Sequence, residues 1–414
     1  MSRTALILSV GESADPLFKA MERAKDDGEI ALFPVYGRPF PGRPISPLDI
    51  VNELKEKAQE FEFELVNPVQ AHDPLDLQSC IQAAEIALKS ALEWGAEKIV
   101  FNFTGGTKPL ASGLLYVAIS RTTGLEVSLE YTREKPFEVI SLPTVSEERM
   151  REALRLASSF SYSQAAAFLK APDLRGRPAF LHRALNALSF WDGFLYKEAY
   201  EEMRRLRPKA ELLIEDRLLG KLSLTILRLS DVAGRMANLV KWLAGGNLNQ
   251  ASKDPKGLSL LPADALENSF RRLKEGRFAD AALGAYRAVE CAAQVLLLSK
   301  YGFWPGKPNW ELLPEGTKEK LMSFLGYSRL PFNLGLRDSL ILLHNLSLIG
   351  PEWSGKFESF CSIRNQSLLE HGYSEVSREG AERALKLGEE LTSSIIKHLG
   401  GNLDELRSSL RHKV

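Results

Sequence analysis

A chain of 414 residues with 44% hydrophobic and 26% charged side chains has enough apolar mass for two or three packed domains, which excludes a disordered or fibrous protein. Fifty-three basic and fifty-three acidic side chains cancel, yet residues 1–143 carry 14 Lys/Arg against 21 Asp/Glu and residues 144–414 carry 39 against 32. An acidic front and a basic back point to two jobs, with any polyanionic substrate at the back. The three cysteines, Cys80, Cys291 and Cys361, are far apart and form no C-x-x-C pair. A disulfide framework and a zinc finger are therefore not expected, and a reducing, cytoplasmic setting fits. The apolar run Ala5–Val10 is too short for a signal-peptide core, and no uninterrupted apolar stretch approaches the ~20 residues that span a bilayer. No membrane attachment is expected.

In chain order, Thr4–Val10 is a short apolar run ending at Gly11, the pattern of a buried strand. Asp15–Lys25 reads as a helix capped by Asp15, with Pro16 at its first position. EIALFPVYG is a second strand, and the Gly/Pro-rich loop 37–44 follows it. Phe61–Val66 alternates apolar and acidic residues as a half-buried strand does. Asp73–Trp94 is a long amphipathic helix, Glu97–Phe103 a strand, and a helical run to Arg121 follows the sequence TGGTK. Glu126–Tyr131 and Phe137–Leu142 complete the set. This alternation predicts a parallel α/β sheet with helices on both faces. After Pro143 the strands stop. Thr144 with Glu147 reads as a capping box, and helical periodicity continues to about Leu243 with breaks near Pro178 and Pro208. Ala244–Gly257 reads as a linker. From Pro262 onward the pattern is helical again, interrupted at Gly302–Pro314.

The first signal for function is Asn102-Phe103-Thr104-Gly105-Gly106-Thr107-Lys108, between a strand and a helix. Two glycines allow a sharp turn and close approach to the backbone. A helix N-terminus attracts phosphate through its amides and dipole. Thr104, Thr107 and Lys108 add hydroxyls and a cation. Neither a Walker loop nor the dinucleotide fingerprint is present. The first strand ends in Ser9-Val10-Gly11, and in a doubly wound sheet both loops open on the carboxyl edge, where ligands bind. Together these motifs resemble the CARF domain, the CRISPR-associated Rossmann fold, over roughly the first third of the chain. The resemblance implies a dimer that binds a cyclic oligoadenylate across its axis. The expected contacts are Ser9, Gly11, Thr104, Gly105, Gly106, Thr107 and Lys108. Arg38 and Arg43 are candidates to cover the ligand on electrostatic grounds alone.

The second signal is Arg364-Asn365-Gln366-Ser367-Leu368-Leu369-Glu370-His371. Seven positions are nearly two helical turns, so Arg364 and His371 share a face about 10 Å apart along the axis. Two copies meeting across a dimer axis would supply a proton shuttle that titrates near neutrality and a cation for a crowded phosphate. Arg337-Asp338 with His344 has a similar spacing, but its neighbours Leu336 and Leu340–Leu343 mark a core helix. Arg175 and Arg177 with His182 are set aside for Pro178, and Arg407 with His412 for a frayed tail. Glu290 is a candidate neighbour of Arg364. Trp304 and Trp310 read as a loop plug, and Cys291 and Cys361 as buried small hydrophobes. The spacing resembles the R-polar-x(4–6)-H motif of HEPN ribonucleases, and Leu266–Gln294 resembles early helices of that domain.

The combined expectation has an α/β Rossmann-like CARF sensor at residues 1–143, an all-α connector at 144–257 and an all-α HEPN-like ribonuclease at 258–414. The resemblance implies a cytoplasmic homodimer that cuts single-stranded RNA through 2′-hydroxyl attack, with Arg364, Asn365 and His371 as the catalytic set. No metal, no cofactor and no stable protein partner are expected. The activator is a cyclic oligoadenylate, with cyclic tetra-adenylate the expected ring. Two alternatives stand beside this. One is a ligand-responsive regulator that binds nucleic acid with a degenerate nuclease pair; the other is a sensor that degrades its own activator.

Overall fold

A computed structural model of the chain describes residues 3–39, 45–122, 125–134, 137–142, 145–170, 174–326, 328–366 and 375–414. The chain divides into two compact units, residues 1–155 with 164–183, and residues 156–163 with 184–414.

The first unit is built on strands β1 (Arg3–Val10), β2 (Glu29–Tyr36), β3 (Glu64–Leu65), β4 (Val69–Gln70), β5 (Lys98–Asn102), β6 (Glu126–Glu134) and β7 (Phe137–Leu142). They form one sheet in the order β3-β2-β1-β5-β6-β7, and β4 also pairs with β2. Every pairing is parallel except β6 with β7, so the expected parallel sheet carries one antiparallel edge. Helices α1 (Asp15–Ala24), α2 (Pro47–Glu60), α3 (Leu77–Trp94) and α4 (Lys108–Ser120) cover its two faces. β1 is buried from Thr4 to Val10. Its Ala5 and Ile7 pack with Cys80 and Ala84 of α3 and Leu114 of α4, while its Leu6 and Leu8 pack with Leu17 of α1 and Leu54 of α2. A strand buried on both faces loses the alternation that marks a half-exposed one.

Local differences from the expected elements have local causes. α2 is a helix that the sequence pattern left unassigned; Ser46 and Asp49 form its capping box, and Pro47 fits its first turn. The Phe61–Val66 strand is reduced to Glu64–Leu65, because β2 offers a partner over that length only. α1 is preceded by Ala14 without a side-chain cap, and Asp15 is its first residue instead. α3 starts later than expected, where Asp76 accepts from the amide of Ser79 at 2.8 Å. Thr144 of the expected capping box lies outside the described residues.

The remaining helices are α5 (Val145–Ser158), α6 (Tyr162–Leu169), α7 (Gly176–Asp192), α8 (Tyr196–Leu212), α9 (Gly220–Ala244), α10 (Leu248–Ala251), α11 (Pro255–Leu258), α12 (Leu260–Lys274), α13 (Phe278–Tyr301), α14 (Thr317–Leu325), α15 (Leu336–Asn345), α16 (Trp353–Gln366), α17 (Arg378–Ile396) and α18 (Leu403–Leu410). α5, α6 and α7 contribute residues to both units. Pro178 lies in the first turn of α7, where a missing N–H costs nothing, so it does not break the helix. α8 likewise continues through Pro208. Residues 244–257 are not an open linker: they hold α10 and α11, and Ala251 and Leu258 are buried.

α12, α13 and α17 form the core of the second unit. By length and mean composition α13 is able to cross a bilayer, but 67% of its most apolar window is packed inside, as for a core helix. A polar cluster is buried among the described residues of this unit. Asp264 accepts from Trp191 Nε1 at 2.9 Å and Tyr196 Oη at 2.8 Å, and Asp192 accepts from Arg271 Nε at 2.6 Å. Buried charge of this kind is tolerated only when paired.

Candidate functional site

The carboxyl ends of β1 and β5 are adjacent in the sheet, and the chain leaves them in opposite directions along the strand order. That is the topological switch point of a doubly wound sheet. A cleft of about 460 Å³ opens there, and its lining includes Gly11, Arg38, Thr104, Gly105, Gly106 and Thr107. Pro47 at the start of α2 and Pro74 ahead of α3 also line it.

The two glycine loops meet backbone to backbone. A Cβ on Gly105 would lie 2.4 Å from Ser9 O and 2.8 Å from Gly11 N; one on Gly11 would lie 2.6 Å from Gly106 N. Gly106 has φ +82°, a left-handed conformation that favours glycine. These glycines thus serve the contact between loops as well as the open face of the cleft. Asn102, fully buried at the end of β5, holds the turn: its Oδ1 accepts from Thr104 N at 3.1 Å and its Nδ2 donates to Thr132 Oγ1 at 3.2 Å.

The expected ligand residues divide by position. Gly11, Thr104, Gly105, Gly106 and Thr107 line the cleft. Ser9 does not; it is fully buried, and its Oγ donates to Asn102 O at 3.4 Å, tying β1 to β5 beneath the loops. Lys108, exposed at the first position of α4, is also outside the lining. Thr107 caps α4 by accepting from Leu110 N at 3.3 Å, and its hydroxyl proton goes to the carbonyl of Pro74. Thr104 Oγ1 accepts from Thr132 N at 2.7 Å. Both hydroxyls therefore brace the loop. Arg38 lines the cleft, and Arg43 lies outside the described residues.

At the back of the chain, Arg364 and Asn365 fall in the last turn of α16, and His371 lies outside the described residues. Among the described residues, Trp353, Phe357 and Phe360 are buried on α16, with Phe360 stacked on Tyr286 of α13 at 5.5 Å between centroids. The histidines of the other Arg/His pairs each have a contact within the fold. His344 sits on α15 beside the buried Leu340–Leu343, and its Nδ1 lies 3.2 Å from Ile349 O. His182 Nδ1 lies 2.9 Å from Ala166 O. The expected frayed tail is instead docked: Arg407 pairs with Glu267 at 2.6 Å and Glu389 at 2.5 Å, and His412 Nδ1 lies 2.8 Å from Tyr162 Oη. Glu290 pairs with Arg287 on its own helix at 2.5 Å. Trp310 meets Phe303 edge-on at 5.4 Å, as a loop plug does. Cys291 and Cys361 are half-buried, more open than expected.

Comparison with curated proteins returns no match. Among solved structures, Enterococcus italicus Csm6 bound to cyclic hexa-2′-fluoro-hexa-dAMP aligns over 99% of this chain and 100% of its own, at 12% identity and a TM-score of 0.35. Residues 250–394 match the family model of the Csm6 HEPN domain. That match covers α12 to α16 and most of α17, including the helix that carries Arg364 and Asn365. Residues 250–394 are thus similar to the Csm6 HEPN domain, and they follow an α/β domain of the architecture that the CARF resemblance implies.

Proposed function

We propose that this chain is a cyclic-oligoadenylate-activated endoribonuclease of type III CRISPR antiviral defence, acting in the cytoplasm as a homodimer on single-stranded RNA. One combination carries the reading. A switch-point cleft walled by two glycine loops occurs in the same chain as a region similar to the Csm6 HEPN domain with the Arg364-Asn365…His371 spacing. Arg364 and His371 of two subunits converge on one phosphodiester. His371 moves the proton of the attacking 2′-hydroxyl and returns one to the departing 5′-oxygen. Arg364 stabilises the charge that builds on the phosphate, and Asn365 orients the pair. The products carry a 2′,3′-cyclic phosphate and a 5′-hydroxyl, and no metal is required. The ring acts by population shift, binding the cleaving arrangement of the dimer more tightly than the resting one.

The test is labelled single-stranded RNA incubated with the protein, with and without cyclic tetra- or hexa-adenylate, in EDTA. Ring-dependent cleavage is expected, and His371→Ala should abolish it while leaving ring binding intact. Loss of activity in EDTA would overturn the metal-free scheme. Ring binding with no cleavage would favour a regulator, and linear fragments of the ring would favour a sensor that degrades its activator.

A further inference from the structure

The cleft has an electrostatic problem. It belongs to the acidic end of the chain, yet the proposed ligand is a polyphosphate ring. Among the described residues lining the cleft, Arg38 is the one basic side chain and Glu12 the one acidic. Arg38 therefore bears the local charge that a phosphate needs.

How Arg38 is held follows from the sheet. β4 pairs with β2 in parallel, Val35 with Val69 and Tyr36 with Gln70. Ala71 N donates to Tyr36 O at 2.8 Å, so the two chains stay together beyond the strands. Continuing that register by two residues sets Arg38 opposite His72. Arg38 Nη2 lies 2.9 Å from one ring nitrogen of His72 and 3.0 Å from the other. A donor in the imidazole plane cannot be nearly equidistant from both nitrogens without colliding with the carbon between them. Arg38 Nη2 therefore meets the ring from its face, between the two nitrogens. The neighbouring residues are fixed as well. A Cβ on Gly37 would lie 2.5 Å from Pro74 Cβ, so the two segments are in close contact, and the carbonyl of Pro74 accepts from Thr107 of the glycine loop. His72–Pro74 is thus a strut between the strand end that bears Arg38 and the turn that bears Gly105 and Gly106.

We propose that Arg38 is the phosphate-contacting arm of the cleft and that His72 is a positioning residue whose ring face holds the guanidinium group toward the anion. This rests on the reading of the cleft as the cyclic-oligoadenylate site. The test titrates labelled cyclic tetra- and hexa-adenylate into the full chain and its Arg38→Ala, His72→Ala and His72→Phe variants. Loss of a charged contact weakens binding about tenfold or more in Arg38→Ala and flattens its salt dependence. His72→Ala weakens binding by less than Arg38→Ala, and His72→Phe, which keeps a ring face, restores it. Arg38 and His72 are exposed, so all variants should melt with the wild type. Wild-type binding that Arg38→Ala leaves unchanged overturns this inference alone. Binding by His72→Ala equal to wild type, or by His72→Phe no better than His72→Ala, overturns the positioning role. A wild type that binds neither ring overturns the reading of the cleft and takes this inference with it.

Discussion

Gly105 shows how one residue serves two ends. Its pairing with Gly106 marks a turn in the sequence, and the flanking Thr and Lys suggest a phosphate. The fold adds a requirement that no local pattern contains: Ser9 O and Gly11 N stand where a side chain would begin. Gly105→Ala should therefore destabilise the first unit by about 1–3 kcal/mol without any ligand present, since overpacking against rigid backbone forces the loops apart. Denaturant unfolding of the ring-free protein measures this; an unchanged midpoint would mean that the glycine serves ligand approach alone. The two threonines carry the same lesson. Their hydroxyls looked available in the sequence, and the fold uses them to brace the turn.

At the scale of elements, α18 and the residues after it are the largest revision. Short, charged and late in the chain, this segment has the pattern of a frayed end. Tertiary partners outweigh that. Arg407 reaches Glu267 of α12 and Glu389 of α17, and Arg228 of α9 donates to the carbonyls of Ser408, Ser409 and Arg411. His412 sits against Tyr162 and Trp191, at 5.4 and 5.9 Å between ring centroids. Desolvation there, with the Arg271 and Arg228 cations nearby, holds its pKa well below the ordinary 6.5. Tyr162 Oη is its hydrogen-bond partner. In the unfolded chain His412 takes up a proton near its ordinary pKa, so the folded state binds fewer protons just below that value. Stability from this residue is complete above about pH 6.5 and falls as the pH drops. Denaturant midpoints at about pH 7.5 and pH 5.5 should differ less in His412→Gln than in wild type; an equal difference would rule out the histidine as the source. Burial of Asp264 raises its pKa and works in the opposite direction, so the comparison is between variants at matched pH. α2 makes a related point. Ser46 and Asp49 are a readable cap, but the helix between strands was hidden by the Gly/Pro-rich loop before it.

For the whole molecule, the proposed mechanism needs two copies of the back half, because helical spacing in the sequence sets an arginine and a histidine seven positions apart about 10 Å from each other. Cleavage at saturating ring should then rise more steeply than in proportion to protein concentration where subunits dissociate, with the steep region matching the dimer transition seen by sedimentation. A strictly proportional rate across that transition would place a complete site in one subunit. The charge division between front and back, the strand–helix alternation, the glycine turn and the Arg/His spacing were all determined by the sequence alone, because each depends on residues a few positions apart or on sums along the chain. What only the tertiary structure decided are the meetings of distant residues. Arg38 rests on His72 across 34 positions, and Tyr162 meets His412 across 250. Local periodicity specifies which face of an element is apolar; which other element covers it, and which polar groups then face each other, is fixed only when the chain closes on itself.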